Sequence, residues 1–361
     1  MNELRGNIVS NNILFSGRII FDDFIKEIIF EKDFDYTNYI IPGFVDLHCH
    51  GGKGFDSMQG VEAMNYLADF HLLNGTTTLF PTTVTANLTD TINSVKGLNR
   101  FLKFNKKKTN IDGIHLEGPF LNANKLGAQP PITQHPSFDF IKPLLAEAPI
   151  KIVTLAPELE GSLELIKLLK RTGIKPQIGH SLADYDCCVS AIEQGVESFT
   201  HLFNAMSGLD HRNPGAVAAA FKNLKFSEII CDLIHVDQIM IQLAYKNIKY
   251  LYAITDSISA SGMPDGEYKL GSNTVFKKNN SVNLKEGTLG GSLLTMDMVF
   301  KNLIDIGFSI QEAVQITSTN ASNYLARNDI GKISIGSRSN LLVLDHDHVL
   351  KQVYLNGALV K

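Results

Sequence analysis

The chain has little of what marks secreted, nucleic-acid-binding and membrane proteins. It contains only four cysteines in 361 residues, and none of them are spaced as CxxC. Two of the four are adjacent, which is a poor arrangement for a disulfide. We therefore expect reduced thiols packed in the interior, as is usual in a reducing compartment. The four cysteines are Cys49, Cys187, Cys188 and Cys231.

The charges are nearly balanced, with 33 Lys and Arg against 37 Asp and Glu and a formal net charge of −4. No basic run is longer than Lys106–Lys108, so we expect neither nucleic acid nor an anionic membrane as a partner. The first residues lack the basic region and unbroken apolar segment of a secretory signal, and no later stretch approaches ~18 uninterrupted apolar residues. These absences predict a cytoplasmic location.

Short β-prone runs occur at both ends of the chain. Residues 1–42 contain NNILFSGRIIF, FIKEIIF and YTNYII, without helical periodicity. Residues 336–361 have the same character, and the Asn356-Gly357 pair favours a hairpin turn. We predict that the two segments join into one small β-sandwich domain, which leaves residues 43–335 for the main domain.

The main segment alternates strand-like apolar runs with helix-like stretches, which is typical of βα units around a parallel sheet. Gly75 and Gly173 lie where two of the helices are expected to end. The eight candidate strands cover residues 43–50, 76–83, 111–118, 151–158, 174–181, 197–204, 227–235 and 251–257. The pattern predicts an α/β fold, a TIM-like (β/α)8 barrel, with its catalytic groups at the carboxyl ends of the strands.

Ionisable residues stand at the ends of five of these strands. His48 and His50 are two residues apart, so their side chains share one side of the first strand. An HxH pair alone is equally well explained as two polar strand-end residues. The other strand ends add carboxylates and imidazoles, a mixture that suits Zn²⁺ or Fe²⁺. These further candidates are Glu117, His180, His201 and Asp256.

The remaining strand and helix histidines are expected to serve the structure. His115 shares a strand face with Glu117 but lies one pleat deeper, which predicts a core or supporting role. His71 falls in a helical stretch, and His346 and His348 fall in the terminal β segment. We expect these three to be structural or solvent-facing.

A second group of residues suggests an anion site. Asn204 and Ala205 follow the sixth strand, and Arg212 lies in a loop bounded by Gly and Pro. Backbone N–H groups beside a guanidinium form a suitable phosphate cradle, and His235 at the end of the seventh strand adds a donor. For Arg212 alone, a surface salt bridge is the alternative explanation.

Taken together, these motifs resemble the amidohydrolase superfamily and, within it, the N-acetylglucosamine-6-phosphate deacetylases. The resemblance spans nearly the whole chain and is carried by PGFVDLHCHGGKGFD, GTTTLFPTT, GIHLEGPFLN, GHSLADYD, THLFNAM, HRNPGAVAAAF, ITDSISASGMPDGEY and GTLGGSLLTMD. It implies a metal-dependent barrel with a small β domain assembled from both termini. Because similar proteins are commonly dimers, it also implies a homodimer.

The resemblance assigns roles to individual residues. It implies that Glu117, His180 and His201 bind the principal metal ion and that Asp256 is the catalytic acid and base. The implied substrate contacts are Asn204, Ala205, Arg212 and His235 for the sugar phosphate, Leu289, Gly290 and Gly291 for the sugar, and Ala128 and Gln129 near the acetyl group.

Two features vary among similar proteins. Some of them lack the HxH pair and bind one metal, so the presence of His48 and His50 leaves one or two ions open. Many have His where Gln129 stands in this chain. An amide still donates to a carbonyl oxygen, but it cannot share a positive charge. Polarisation of the substrate is therefore expected to depend more on the metal.

The implied reaction is hydrolysis of the acetamide of N-acetyl-D-glucosamine 6-phosphate, a small amino-sugar phosphate, with Zn²⁺ or Fe²⁺ as the divalent metal. Three alternatives are an enzyme that prefers N-acetylgalactosamine 6-phosphate, a ring-opening amidohydrolase of dihydroorotase type, and a non-catalytic sugar-phosphate binding protein. The ring-opening enzymes commonly bridge two metals with a carboxylated Lys from the fourth strand, which here ends in TLAPE without Lys. Loss of metal ligands would mark the binding protein, yet every proposed ligand is present.

Overall fold

The structure is a computed structural model that describes residues 1–32, 34–105 and 110–361. The Lys106–Lys108 run of the sequence lies outside the described residues. Among the described residues, no helix is both long and apolar enough to cross a membrane.

The chain begins with four strands of one sheet, β1 (Asn2–Ser10), β2 (Ile13–Phe21), β3 (Ile25–Phe30) and β4 (Tyr39–Pro42). The first three strands are antiparallel, and β4 returns parallel to β1. Asn11 and Asn12 form the β1–β2 turn with φ angles of 47° and 66°. These left-handed angles suit a two-residue turn of type I′, which asparagine tolerates.

A long alternation of strands and helices follows. In chain order the elements are β5 Phe44–Cys49, β6 Gly51–Gly52, β7 Phe55–Asp56, α1 Val61–Leu73, β8 Thr76–Pro81, α2 Leu88–Asn105, β9 Ile114–Glu117, α3 Phe138–Glu147, β10 Ile150–Leu155, α4 Ser162–Arg171, β11 Lys175–Ile178, α5 Tyr185–Gln194, β12 Ser198–Phe199, α6 Ala216–Asn223, β13 Phe226–Ile230, α7 Gln238–Asn247 and β14 Tyr250–Ile254. Each of the eight predicted strands has a counterpart, namely β5 and β8 to β14. Gly75 and Gly173 follow α1 and α4 with φ angles of 89° and 77°, so both helices end where predicted.

The rest of the chain adds a sheet, three α-helices, a π-helical segment at Gln315–Thr319 between the last two of them, and the last strands. The elements are β15 Gly266–Leu270, β16 Asn273–Lys278, β17 Ser281–Asn283, α8 Met296–Asp305, α9 Ile310–Val314, α10 Asn320–Tyr324, β18 Leu341–Leu344, β19 Leu350–Leu355 and β20 Ala358–Leu359. Strands β15, β16 and β17 form an antiparallel sheet that the sequence analysis did not predict.

The eight central strands are parallel wherever they pair. The paired groups are β5 with β8, β9 to β12 in sequence order, and β13 with β14. Backbone hydrogen bonds connect one group to the next, from Leu79 to Asn110 (2.8 Å), from Leu202 to Glu228 (3.0 Å) and from Asp256 to His48 (2.9 Å). With helices between the strands, this is an α/β architecture in which the strands' carboxyl ends lie together.

The central strands are apolar because both of their faces are covered. Strands β5, β8 and β9 are buried along their whole length. Leu67 of α1 and Leu98 of α2 belong to the same buried cluster as Leu116 of β9. Asp46 and Glu228 are therefore conspicuous, because they are fully buried carboxyl groups inside such strands.

The two chain ends pair with each other in a seven-stranded sheet. Its strand order is β20-β19-β18-β4-β1-β2-β3, so the contact between the termini runs through β18 and β4. A small separate core beneath this sheet contains Ile8, Ile19, Phe21, Ile40 and Leu341. The predicted terminal segments therefore lie in one sheet.

Candidate active site

Four histidines and two carboxylates meet at the carboxyl ends of the central strands. His48 lies in β5 and His50 directly follows it, while Glu117 is the last residue of β9. The other three residues each lie two positions beyond a strand, namely His180 after β11, His201 after β12 and Asp256 after β14. All six are at most 8% exposed. The structure therefore brings together all six residues that the sequence analysis singled out as candidate metal ligands or as the candidate catalytic residue.

Glu117 lies at the centre of this cluster. Its Oε1 is 3.1 Å from His180 Nε2, 3.2 Å from His201 Nε2 and 3.5 Å from His48 Nε2. Its Oε2 is 3.1 Å from His50 Nε2. Two groups of potential metal ligands therefore share Glu117, one with His48 and His50 and one with His180 and His201, and within each group the donor atoms lie within 4.8 Å of one another.

The histidine rings are oriented by hydrogen bonds at their other nitrogen. His50 Nδ1 is 3.2 Å from the backbone oxygen of Thr82, and His180 Nδ1 is 2.8 Å from that of Lys125. A carbonyl oxygen only accepts hydrogen bonds, so both Nδ1 atoms are donors and both Nε2 atoms are directed into the cluster. There an Nε2 donates to a carboxylate when the ring is an imidazolium and binds a cation when the ring is neutral, and this donor set suits Zn²⁺ or Fe²⁺.

Three of the ligand candidates have unusual backbone conformations. His180, His201 and Asp256 have φ angles of 50°, 30° and 48°. Left-handed angles are uncommon for residues other than glycine and cost about 1–3 kcal/mol each in unfavourable cases. All three follow the end of a strand, where the turn directs the side chain into the cluster.

The carboxylates of the cluster are held in their ionised form. Burial by itself raises the pKa of Glu117, but the imidazoles of His48 and His180 outweigh it, and the pKa lies well below the usual range. Burial also opposes ionisation of Asp256, yet a hydrogen bond with His50 and the charge of His48 lower its pKa to about 2. Ionised carboxylates are the form that binds a cation or accepts a proton.

A cavity of about 310 Å³ opens above the cluster. Of the predicted substrate contacts, its wall includes Ala128, Gln129, Asn204, Ala205, His235, Leu289 and Gly291. Gly290 is not among the lining residues, although a Cβ atom placed on it would be 3.5 Å from Ala128 Cβ. The sequence analysis missed Asn124, Lys125, Gly127, Leu270 and Thr288, which also line the cavity. Leu270 belongs to the unpredicted sheet, whose sequence shows only a weak alternation of apolar and polar residues.

Gln129 contacts the centre of the cluster directly. Its side-chain amide donates a hydrogen bond to Glu117 Oε2, and its Oε1 accepts one from the backbone N–H of Thr85 at 2.8 Å. These two bonds settle which end of the amide faces Glu117. One N–H of the amide remains free for a further acceptor.

The two predicted phosphate contacts differ in position. His235 lines the cavity, and its Nδ1 lies 2.6 Å from Asp232 Oδ2. Burial lowers the pKa of His235, but the hydrogen bond with Asp232 outweighs it and the pKa is raised. Arg212 is exposed, does not line the cavity and forms no side-chain ion pair within the described part of the chain. The structure of one chain therefore does not bring Arg212 to the site.

The histidines expected to be structural lie outside the cluster. His115 is fully buried, with Nδ1 2.9 Å from Leu47 O and Nε2 2.7 Å from Thr154 Oγ1, and burial lowers its pKa to about 4. His71 is buried against Gly51 O at 3.0 Å, whereas His346 is exposed and His348 is partly exposed. The four cysteines are free, and three of them are buried.

Glu228 is the most important residue that the sequence analysis missed. It lies in β13, and its Oε2 is 3.0 Å from His48 Nδ1. The available signal was an ionisable residue in the middle of the apolar run FSEII, since such a residue is rarely buried without a partner.

Comparison with known proteins identifies the larger group. The amidohydrolase family matches residues 39–360. The chain belongs to the amidohydrolase family.

Several known proteins resemble it over most of their length. An N-acetylglucosamine-6-phosphate deacetylase of Lysinibacillus sphaericus is 31% identical, over 88% of this chain and 84% of the relative. An N-acetylgalactosamine-6-phosphate deacetylase of Escherichia coli O157:H7 is 30% identical, over 89% of this chain and 87% of the relative. A mutant N-acetyl-D-glucosamine-6-phosphate deacetylase of Mycobacterium smegmatis, solved in complex with N-acetyl-D-glucosamine-6-phosphate, superposes with a TM-score of 0.93 at 30% identity, over 99% and 98% of the two chains. These relatives confirm the resemblance expected from the motifs.

Proposed function

We propose that the protein hydrolyses the acetamide of N-acetyl-D-glucosamine 6-phosphate to glucosamine 6-phosphate and acetate. The observation that carries this proposal is the Glu117-centred cluster of imidazoles and carboxylates beneath a cavity that fits a small molecule. Similar chains with the same overall fold are deacetylases of N-acetylhexosamine 6-phosphates, which supports the choice of substrate.

Glu117, His180 and His201 are proposed to hold the principal ion, and His48 and His50 a second position. A divalent ion, when bound, lowers the pKa of a water molecule and polarises the acetyl carbonyl. The residues fit such an ion because the Nε2 atoms of the four histidines converge on the carboxylate of Glu117. The metal is Zn²⁺ or Fe²⁺ in this proposal, since both accept imidazole together with carboxylate.

Asp256 is proposed to move the proton. Its low pKa keeps the carboxylate ionised, so Oδ1 can accept a proton from the attacking water. The same carboxyl group then donates this proton to the leaving nitrogen, which departs as an amine because an amide anion is too basic to leave. One carboxylate therefore serves both steps.

The wall of the cavity is proposed to orient the sugar. His235, Asn204 and Ala205 would contact the 6-phosphate, and Lys125 supplies a cation beside them. Leu289, Gly290 and Gly291 would line the sugar ring, and Ala128 and Gln129 the acetyl group. The free N–H of Gln129 suits the acetyl oxygen, because the other N–H is already donated to Glu117. Binding at the phosphate would hold the distant carbonyl in place.

We further propose that the eight parallel strands form a closed (β/α)8 barrel of residues 43–335. The hydrogen bonds that join β8 to β9, β12 to β13 and β14 to β5 support closure. Residues 1–42 and 336–361 would form the small β domain, for which the pairing of β4 with β18 is the support. Its sandwich form stays a prediction.

We also propose that the protein is a cytoplasmic homodimer. Free cysteines are consistent with a reducing compartment. The loops beside Arg212 expose apolar side chains, including Leu209 at 58% and Leu182 at 45%. A second copy packed on these loops could receive Arg212 near its phosphate site.

The alternatives differ in what they require. A preference for N-acetylgalactosamine 6-phosphate needs no change in the cluster, and one relative carries that name. A ring-opening enzyme that uses a carboxylated Lys finds no such residue at the carboxyl end of β10, because the lysine of IKIVTL, Lys151, is exposed near the amino end of the strand. A non-catalytic binding protein would not need six buried ligand and catalytic candidates.

Acetate release tests the proposal directly. Both N-acetylhexosamine 6-phosphates and their unphosphorylated forms would be assayed with one preparation of the full chain, and its metal content would be determined by elemental analysis. We expect release that depends on the metal and on the 6-phosphate. A metal-loaded protein that releases acetate from none of the four sugars would contradict the proposed function.

A further inference from the structure

Glu228 contacts the cluster through the ring of His48. It is in the centre of β13, and its side chain is fully buried. It does not line the cavity, so it is not placed to touch substrate. A buried carboxylate at this position needs a physical reason, because an unpaired charge is costly in the interior.

The contacts of Glu228 reach both halves of the cluster. Its Oε2 lies 3.0 Å from His48 Nδ1 and accepts a hydrogen bond from the backbone N–H of His201 at 3.2 Å. Its Oε1 has no hydrogen-bond partner among the described residues. The negative charge of Glu228 is therefore directed mainly at the ring of His48.

His48 differs in this respect from the other rings of the cluster. The Nδ1 atoms of His50 and His180 donate to neutral carbonyl oxygens, and His201 Nδ1 has no partner among the described residues. A carboxylate that accepts from Nδ1 fixes the ring and makes the opposite Nε2 a stronger donor to a cation. Of these four rings, only that of His48 has such a carboxylate partner at Nδ1 in the described structure.

We infer that Glu228 is a positioning residue, which orients His48 and strengthens its Nε2 so that the His48–His50 half of the cluster holds a second divalent ion. The inference deepens the proposed function, since it takes the cluster as a metal site. It does not require that Glu228 contact the substrate or the ion.

Zinc binding to the full chain tests this role. The protein would be stripped with a chelator and titrated with Zn²⁺ in competition with a chromophoric chelator, and bound zinc would be counted by elemental analysis. We expect two ions per chain in the wild type. Glu228→Gln retains an oxygen for both hydrogen bonds but loses the charge. It should therefore bind the ion at His48 and His50, which we expect to be the weaker of the two, about 10–100-fold less tightly. The tighter ion should be nearly unaffected.

Ser227→Ala provides the matched control. Ser227 is the neighbouring residue in β13 and is equally buried, but its hydroxyl bonds to backbone oxygens of Phe199 and Glu228. This variant should bind both ions as the wild type does. If it lost the weaker ion to the same extent as Glu228→Gln, a general disturbance of the strand would be the explanation.

Two results would overturn the inference. One is a folded Glu228→Gln with both affinities unchanged, and the other is a single ion in the wild type at saturating Zn²⁺. Should Glu228→Gln fail to fold, Glu228→Asp replaces it, because the shortened carboxylate no longer reaches His48 and the weaker ion should again be lost. Unchanged affinities in that variant would also contradict the inference. Acetate release is measured separately, so an inactive wild type that binds two ions contradicts the proposed function alone.

Discussion

The two oxygens of Glu117 face different histidines, and this division organises the cluster. Oε1 faces His180 and His201 and lies 3.5 Å from His48 Nε2, whereas Oε2 faces His50 and accepts from Gln129. A carboxylate with two separately used oxygens can contact two cations at once. The geometry of one side chain therefore suits the two-ion form of the site.

His180 tests the principal metal position. We predict that His180→Ala loses most of its metal and that kcat/KM falls by ~10² or more, because one Nε2 donor to the ion is removed. Elemental analysis and acetate release on the same preparation check both expectations. His115→Gln is the control, since His115 is buried nearby but outside the cluster. Full metal occupancy with normal turnover in His180→Ala would refute the assignment.

Asp256 tests proton transfer apart from metal binding. Asn fills the same space and donates a hydrogen bond, but it cannot shuttle a proton. We therefore predict that Asp256→Asn keeps its metal and its KM while kcat falls by ~10² or more. Steady-state kinetics with metal analysis distinguishes the outcomes. Metal loss in step with activity would favour a ligand role, and near-normal kcat would leave the general base unidentified.

At the scale of elements, the turns after the strands do as much for the site as the strands themselves. His180, His201 and Asp256 all have left-handed backbone angles directly beyond β11, β12 and β14. Each turn changes the direction of a side chain that a continued strand would have directed elsewhere. Local strain at these three positions is offset by the packing of the strands on which they stand.

A charged network joins the central strands to the terminal sheet. Asp329 accepts from Arg327 and from Arg338 Nε at 2.8 Å, Arg327 also pairs with Asp112 before β9, and Arg338 reaches Asn356 beside β19. The hydrogen bonds from Arg327 lower the pKa of Asp329, against a smaller opposing effect of burial. The network is partly exposed, so its contribution to stability is modest.

This network predicts a pH dependence of stability. The pKa of Asp329 is lower in the folded than in the unfolded chain, so its contribution is complete above the unfolded value and is lost as the pH falls through the folded one. We expect the free energy of unfolding of Asp329→Asn to be lower than that of the wild type by about 1 kcal/mol or less at pH 7. This difference should shrink as the pH falls. Urea unfolding at several pH values measures it.

Glu267→Gln serves as the control for this measurement, because Glu267 is exposed on β15 and forms no ion pair within the described residues. The free energy of unfolding of Glu267→Gln should equal that of the wild type at every pH. A stability difference for Asp329→Asn that stays constant from neutral to acid pH would show that the ionised carboxylate is not the cause.

On the scale of the whole molecule, Arg212 is the residue that one chain does not explain. It is exposed on a loop outside the cavity, although the sequence analysis expected it at the phosphate. A homodimer resolves this difference if the loop of one copy reaches the site of the other. The sedimentation or light-scattering mass of the protein should then correspond to two chains.

Arg212→Ala measures the contribution of this loop. Charge-assisted contacts to phosphate are worth roughly 1.5–3 kcal/mol each, so kcat/KM for the 6-phosphate should fall by one to two orders of magnitude. The unphosphorylated sugar should be much less affected. Lys222→Ala, a change of another cation on the nearby helix α6, should leave both values unchanged. Equal losses for both sugars would mean that Arg212 is structural.

The amino-acid sequence by itself determined the alternation of strands and helices and the places where the strands end. Apolar periodicity and helix-stopping glycines are local signals, which is why the eight central strands and Gly75 and Gly173 were predicted. The ligand candidates were found for the same reason, because His, Glu and Asp at strand ends are visible without any knowledge of contacts.

Only the tertiary structure decided how these residues face one another. Glu228 meets His48 across 180 positions of sequence, and Gln129 meets Glu117 from a separate loop. The exposure of Arg212 and the sheet from β15 to β17 beside the cavity also depend on packing between distant segments. Such contacts arise when the strands come together, and no local periodicity encodes which side chains then become neighbours.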